Sequence, residues 1–272
     1  MSARDGGDGR DLLDLEPEAL ADRAAVIGKE RLARSLIDIA ITAAIGGVEV
    51  SVGGLAAMAV VGGALGANPR LGLYGGLALG GLVFPIGFLF VIVGRSELFT
   101  ENFLIPVLGV LRHEAPARTL VGLWSLSWVA NLFGCAVMAL LFSIPHAVGD
   151  ELLRGYRIYS DYKLSVPALG TLISGVIAGI VMTVLTWLLL AVRHPVAKMA
   201  AIFAAGFVLF AANLSHGIVG ASILFVGFPL TRHPVTDLVV WLILASLGNL
   251  IGGVGFVTLF RLAQVKEKER QS

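Results

Sequence analysis

Inside an otherwise apolar run from Leu71 to Leu111, the stretch Gly94-Arg95-Ser96-Glu97-Leu98-Phe99-Thr100-Glu101-Asn102 places three charges among small polar side chains. A second apolar run, Val196 to Pro229, is interrupted in the same way by Asn213-Leu214-Ser215-His216-Gly217. These residues can hold countercharge, hydrogen-bond and exchange protons. His216 is the only histidine outside the connecting segments, and with an unperturbed pKa of about 6.5 it can trade a proton at physiological pH. The Thr100 hydroxyl, on the other interrupted run, could hydrogen-bond it and fix its tautomer. A purely structural, hydrogen-bonded histidine is the competing assignment.

Each unpaired charge at the centre of a bilayer costs about 2.5–3.5 kcal/mol, so Arg95, Glu97 and Glu101 must face protein or water. Glu49, midway along the first apolar segment, is under the same constraint. Arg95 is the natural countercharge for Glu49 or for Glu97, in a pair that either locks the fold or belongs to an ion route. Phe84, Phe88, Phe99 and Phe210 flank the polar positions, as plain core or as constrictions around a polar midpoint.

The elements that must position these residues follow from length. A straight helix from Leu71 to Leu111 would be about 60 Å long, twice the hydrocarbon thickness, so it breaks, and the polar cluster is where. Backbone leaves a helix at membrane depth only where it is buried in protein or lines a water-filled cavity. Six crossings are expected: Leu36–Leu65, Leu71–Leu111, Thr119–Phe142, Val166–Val192, Val196–Pro229 and Val235–Leu262. A polar excursion from Ile144 to Ser165 carries Tyr156, Tyr159 and Tyr162, which fit an interfacial aromatic belt. The first ~15 residues, rich in charge and glycine, read as a disordered tail. Leu20, Ala24 and Ile27 then suggest an amphipathic helix, at the membrane surface or simply solvated.

Of 272 residues, 57% are hydrophobic and 14% charged, the composition of a polytopic membrane protein. A net charge of +1 supplies no basic face for nucleic acid. The single cysteine, Cys135, excludes an intrachain disulfide, and the five scattered histidines suggest no metal site. Residues 1–34 lack the apolar core of a signal peptide. Lys and Arg number 14 on the side of the two chain ends and 5 on the opposite side, which places both termini in the cytoplasm. The expected domains are a cytoplasmic tail with its amphipathic helix (1–34), a transmembrane channel domain (35–262) and a cytoplasmic C-terminal tail (263–272).

An internal duplication runs through the transmembrane domain. Asn131-Leu132-Phe133-Gly134 follows the first break and Asn249-Leu250-Ile251-Gly252 follows the second, giving repeats over 35–143 and 166–262. Three crossings per half make the repeat inverted, and paired interrupted segments in an inverted repeat point to a transport site at the midplane.

Glu97-Leu98-Phe99-Thr100 within Gly94–Thr100, Ser215-His216, and Gly248-Asn249-Leu250-Ile251-Gly252-Gly253 occur in the order found in the formate/nitrite transporter family, which this chain resembles over about residues 35–262. The resemblance implies a pentameric anion channel with an aquaporin-like protomer, embedded in the lipid of a bacterial-type inner membrane. It implies Thr100 and His216 as the central polar pair. It further implies Leu98, Phe99 and Leu209 or Phe210 as an extracytoplasmic hydrophobic slit, with Phe84 and Phe88 as the cytoplasmic one. A proton passed near His216 would let an anion cross the slit as its neutral acid. Ser215 and Gly220 stand where well-studied members have an acidic residue and an asparagine, and Arg95, Glu101-Asn102 and Glu49 are additions. This is a divergent branch.

The expectation is an all-α membrane protein that carries small monovalent anions of weak acids, formate- or nitrite-like, proton-linked, without cofactor and without enzymatic activity. An aquaporin-like channel for neutral solutes, or a non-transporting membrane protein of structural or regulatory role, are the alternatives.

Overall fold

The computed structural model describes residues 17–271; the expected disordered leader falls outside the described residues. All of its regular elements are helices: α1 (Pro17–Leu32), α2 (Leu36–Ala67), α3 (Gly72–Gly81), α4 (Pro85–Gly94), α5 (Ile105–Leu111), α6 (Ala117–Phe142), α7 (Asp150–Ser165), α8 (Ala168–Ala191), α9 (Pro195–Ala211), α10 (Gly217–Gly227), α11 (Val235–Leu250) and α12 (Leu259–Gln271). Five stretches are long and apolar enough to cross a membrane: Leu36–Ala67, Pro69–Gly94, Ala117–Phe142, Ala168–Ala191 and Val235–Gln264. The chain is thus a multi-pass membrane protein. The expected fifth crossing is split into α9 and α10, neither of which reaches that length.

Local chemistry explains where the helices stop. Pro85 cannot donate to the preceding turn, and the run bends there between α3 and α4. At Gly94 the helix ends because Arg95 adopts a left-handed conformation (φ 60°), and the Ser96 N–H turns back to the Val91 carbonyl (3.1 Å). The second break is built alike: Asn213 is left-handed (φ 54°), and the Leu214 N–H donates to the Leu209 carbonyl (3.0 Å).

Freed peptide groups at membrane depth need partners, and two carboxamides supply them. Asn131 on α6 accepts the Phe99 N–H at Oδ1 (2.8 Å) and donates from Nδ2 to the carbonyls of Glu97 (2.9 Å) and Ala43 (2.6 Å). Asn249 on α11 accepts the Gly217 N–H (2.8 Å) and donates to the carbonyls of Ser215 (2.9 Å) and Gly175 (2.8 Å). The two patterns coincide partner for partner. They pair Glu97 with Ser215, Leu98 with His216 and Phe99 with Gly217, so Thr100 is two positions out of register with His216.

Close approach of the long helices lets these short side chains reach. A Cβ on Gly47 of α2 would fall on the Asn131 carbonyl, and one on Gly179 of α8 on the Asn249 carbonyl. Small residues at such crossings are what membrane helices use to pack.

The two amphipathic segments are also counterparts, each of 16 residues. Helix α1 is not merely solvated, because its apolar face is packed against the rest of the chain. Leu20 and Ala24 are buried against Leu104, Ile105 and Leu108 of the first broken run and against Trp187 and Leu190 of α8. Helix α7 packs on α2 and α10. Tyr156 and Tyr159 are buried there, so the expected belt is reduced to Tyr162, whose hydroxyl lies 2.7 Å from that of Tyr74. Beyond α11 the chain winds as a π-helix (Ile251–Thr258), and Thr258 Oγ1 donates to the Phe103 carbonyl at the first break (2.9 Å).

Replacing Asn131 or Asn249 by the near-isosteric Leu strands one N–H and two carbonyls in the interior. Each stranded group costs about 1–3 kcal/mol. Either variant should lose at least several degrees of melting temperature in detergent, read by fluorescence-detected size exclusion, with Asn131→Gln and Asn249→Gln losing less.

Candidate functional site

The two breaks meet. Thr100, on the 3-10 turn Phe99–Phe103, and His216, the N-cap of α10, are both fully buried, and Thr100 Oγ1 lies 2.8 Å from His216 Nε2. The tautomer follows from the opposite ring nitrogen. His216 Nδ1 accepts the Val219 N–H (3.1 Å), which requires that nitrogen to be unprotonated. The neutral ring therefore carries its proton on Nε2 and donates it to Thr100. The Thr100 hydroxyl proton is left free to point elsewhere, at an incoming acceptor.

Aromatic rings cover this contact on the side of α7. The Phe88 ring stands 6.2 Å from the His216 ring and 5.1 Å from Phe84. Phe84 stacks on Phe210 at 4.9 Å, and Phe210 lies over Tyr159 at 6.2 Å. Phe210 therefore groups with Phe84, not with Leu98 and Phe99. The physical reason is chain direction: α2 carries the chain away from α1, so α3 and α4 start at the far end and Phe84 lies beyond the break. Leu98 and Leu209 are buried in the same core. Phe99 turns outward: it packs edge-on against Phe103 (4.8 Å) and lines an outer groove with Trp124, Trp128 and Leu250.

The charges are paired differently from the sequence expectation. Glu97 is buried, and its Oε2 receives the Arg34 guanidinium at 2.6 Å, a residue from the link between α1 and α2. Glu49 accepts a hydrogen bond from the Ser96 hydroxyl. Arg95 is exposed and forms no ion pair with Glu49 or with any other described residue. The expected Glu49–Arg95 pair is corrected accordingly, because the left-handed turn at Arg95 swings its side chain out of the helix stack while Ser96 turns in. Arg31 completes the network by donating to Asn102 Oδ1 (3.1 Å).

Lys163 is the residue that sequence reasoning missed. It is buried on α7, where Nζ donates to the Asn213 carbonyl (2.6 Å), approaches Ser215 Oγ (3.4 Å) and lies 5.7 Å over the Tyr159 ring. Helix α7 lies outside the apolar spans, and burial pushes the Lys163 ammonium down to about 7. The signal was present: Leu152, Tyr156, Tyr159 and Lys163 recur at helical spacing, which puts the lysine on the buried face. Ser215 itself is held by its N–H on Ser174 Oγ (2.9 Å) and by its carbonyl on Asn249.

A cavity of about 420 Å³ opens between α1 and the first break, lined by Arg31, Arg34, Glu97 and Glu101 with apolar Met182 and Leu185 at its inner wall. The arrangement thus joins a positively bordered vestibule, a buried hydroxyl–imidazole contact between apolar collars, and a buried ammonium beside the second break. No group of three or more His, Cys, Asp or Glu among the described residues is placed to hold a metal ion.

The chain is similar to known proteins over most of its length. The formate/nitrite transporter family model matches residues 18–263. A probable formate transporter of Methanothermobacter thermautotrophicus is 31% identical over 173 residues, covering 63% of this chain and 61% of that protein. The chain thus spans about three fifths of that relative's length. Among solved structures, an ion channel of the same family superposes with a TM-score of 0.78 at 20% identity, over 90% of this chain and 98% of the other. A pentameric formate channel with formate bound gives 0.68 at 18%, over 84% and 97%. With the family model spanning nearly its whole length, the chain belongs to the formate/nitrite transporter family.

Proposed function

We propose that this protein passes small monovalent anions of weak acids, formate-like in size, as neutral acids formed at the Thr100–His216 contact. The observation that carries the reading is the 2.8 Å contact between Thr100 Oγ1 and His216 Nε2, made by the two helix breaks and covered by Phe84 and Phe88. The architecture in this reading is six crossings in an aquaporin-like inverted 3+3 repeat, with broken second and fifth crossings and both termini in the cytoplasm of a bacterial-type inner membrane. The twofold recurrence of the asparagine clamp supports the repeat. The domains are the terminal segments 1–34 and 263–272 and the channel domain 35–262. Assembly as a homo-pentamer follows the solved formate channel that this chain resembles.

With the termini cytoplasmic, Phe84, Phe88 and Phe210 form the extracytoplasmic collar, and Leu98 stands on the cytoplasmic side of the pair. An anion is drawn to one face by the vestibule cations that no carboxylate answers, Arg23, Arg95 and Lys198, and to the other by Lys163 while it is protonated. A bare monovalent anion in an apolar constriction is far costlier than the corresponding neutral acid. Protonation at the midpoint removes that penalty. The neutral ring keeps its Nε2 proton and donates it to the Thr100 oxygen, which turns the Thr100 hydroxyl proton toward the acceptor; the proton that neutralises the anion enters with it from the water of the entrance, and Nδ1 keeps capping α10. Glu97 and Ser215, at equivalent positions, hold Arg34 and Lys163 at the two entrances.

Proteoliposome uptake across formate, nitrite, hydrosulfide and acetate, with and without a pH gradient, tests the reading. Flux driven by the proton gradient is expected for at least one of these acids; conduction of water or glycerol alone, or no flux, would remove it. His216→Asn keeps the helix cap but removes the Nε2–H that orients the Thr100 hydroxyl, so gradient-driven flux should fall at least tenfold with the oligomer intact. Thr100→Val loses one hydrogen bond of about 1 kcal/mol and should fall about fivefold. Lys163 is charged below about pH 7 and neutral above it. Its attraction for anions is present at pH 6 and gone at pH 8, so Lys163→Gln should lower flux several-fold at extracytoplasmic pH 6 and little at pH 8.

A further inference from the structure

We propose that the vestibule beside α1 is a binding site for a doubly charged oxyanion of the phosphate-monoester class, held by Arg23, Arg95 and Lys198. The cavity is about 420 Å³, against about 30 Å³ for one water in the liquid, so it admits a hydrated oxyanion and is far larger than a formate-sized acid requires. Cations dominate its wall: four arginines and Lys198 face two carboxylates, Glu97 and Glu101. Those carboxylates are already answered, because Arg34 grips Glu97 and the Arg31 charge lies beside Glu101. The remaining three cations, Arg23, Arg95 and Lys198, form no ion pair with any described residue. They come from three elements, α1, the end of α4 and the first turn of α9, which converge on this cavity.

Arg95 gives the assignment its specificity. It occupies a left-handed position (φ 60°) where glycine and asparagine are the comfortable residues, and the equivalent position of the other half does hold Asn213 (φ 54°). The first half sets an arginine there against local preference, on the wall of a charged cavity. Strained residues of this kind cluster at ligand-binding positions. A monovalent acid would answer one of the three cations; a phosphate-class dianion accepts hydrogen bonds from several at once and answers two charges. A ligand joining Arg23 of α1 to Lys198 of α9 would also span the approach to Glu97 and hinder entry from this side.

The test is equilibrium binding of radiolabelled inorganic phosphate to the intact purified protein in detergent at low ionic strength. Saturable binding is expected, weakening with added salt as screening requires and undisturbed by equimolar formate. Arg95→Asn fits the left-handed turn at least as well as arginine, so it should melt no lower than the parent chain yet bind phosphate about tenfold more weakly. Lys198→Gln should weaken binding similarly, and Arg95→Lys and Lys198→Arg should largely restore it. A parallel arm uses nanodiscs of phosphatidylcholine with or without phosphatidic acid. If free phosphate does not bind but phosphatidic acid raises the melting temperature of the parent chain and not of the Arg95→Asn, Lys198→Gln variant, the site takes the lipid headgroup and the proposal holds. Absence of both effects, or binding that the two substitutions leave unchanged, overturns it. Neither readout requires transport, so the outcome is separate from that of the flux experiments.

Discussion

A helix that opens at membrane depth exposes peptide groups to a medium that cannot solvate them, and in this protein each opening is closed by one buried carboxamide. Asn131 and Asn249 each take one N–H and give to two carbonyls, one on the break and one on the long helix across from it. The rest of the site hangs on that. Without the clamps, the segments 95–104 and 212–216 have no reason to leave the α-helix, and Thr100 and His216 have no reason to face each other. The glycines at Gly47 and Gly179 serve the same end, since they bring the crossing helices near enough for a side chain as short as asparagine to bridge them.

Much of this was legible in the residues. Overlong apolar runs forced two breaks, and both fall within the polar clusters that were named. The Thr100–His216 pairing was also readable, though as a contact across the breaks and not as a pair of equivalent positions. What the sequence hid was the role of residues outside the apolar runs. Arg34 lies before the first crossing and Lys163 in a helix of mixed polarity, so hydropathy alone assigns both to solvent. Helices α1 and α7 look like surface segments because only one narrow face of each is apolar, and in the folded chain that face is covered by neighbours distant in sequence. The Glu49–Arg95 pairing failed for a different reason. Charge complementarity says which residues should meet, but a single left-handed residue decides which side chains turn inward, and a non-glycine φ of 60° is not announced by residue type.

The two halves share their backbone logic and differ in charge. At the first break the cation is an arginine facing a carboxylate, Arg34 on Glu97; at the second it is a lysine facing a hydroxyl and a carbonyl, Lys163 on Ser215 and Asn213. A guanidinium–carboxylate pair is charged throughout the working pH range and contributes little net field. A buried ammonium without a carboxylate keeps its positive potential but holds its proton less firmly. The same position in the fold therefore serves as a fixed structural tie on one face and as a pH-dependent attractor on the other. An inverted repeat must make its two entrances from similar parts, and exchanging one carboxylate for one hydroxyl at the Glu97/Ser215 position is enough to make them chemically unlike.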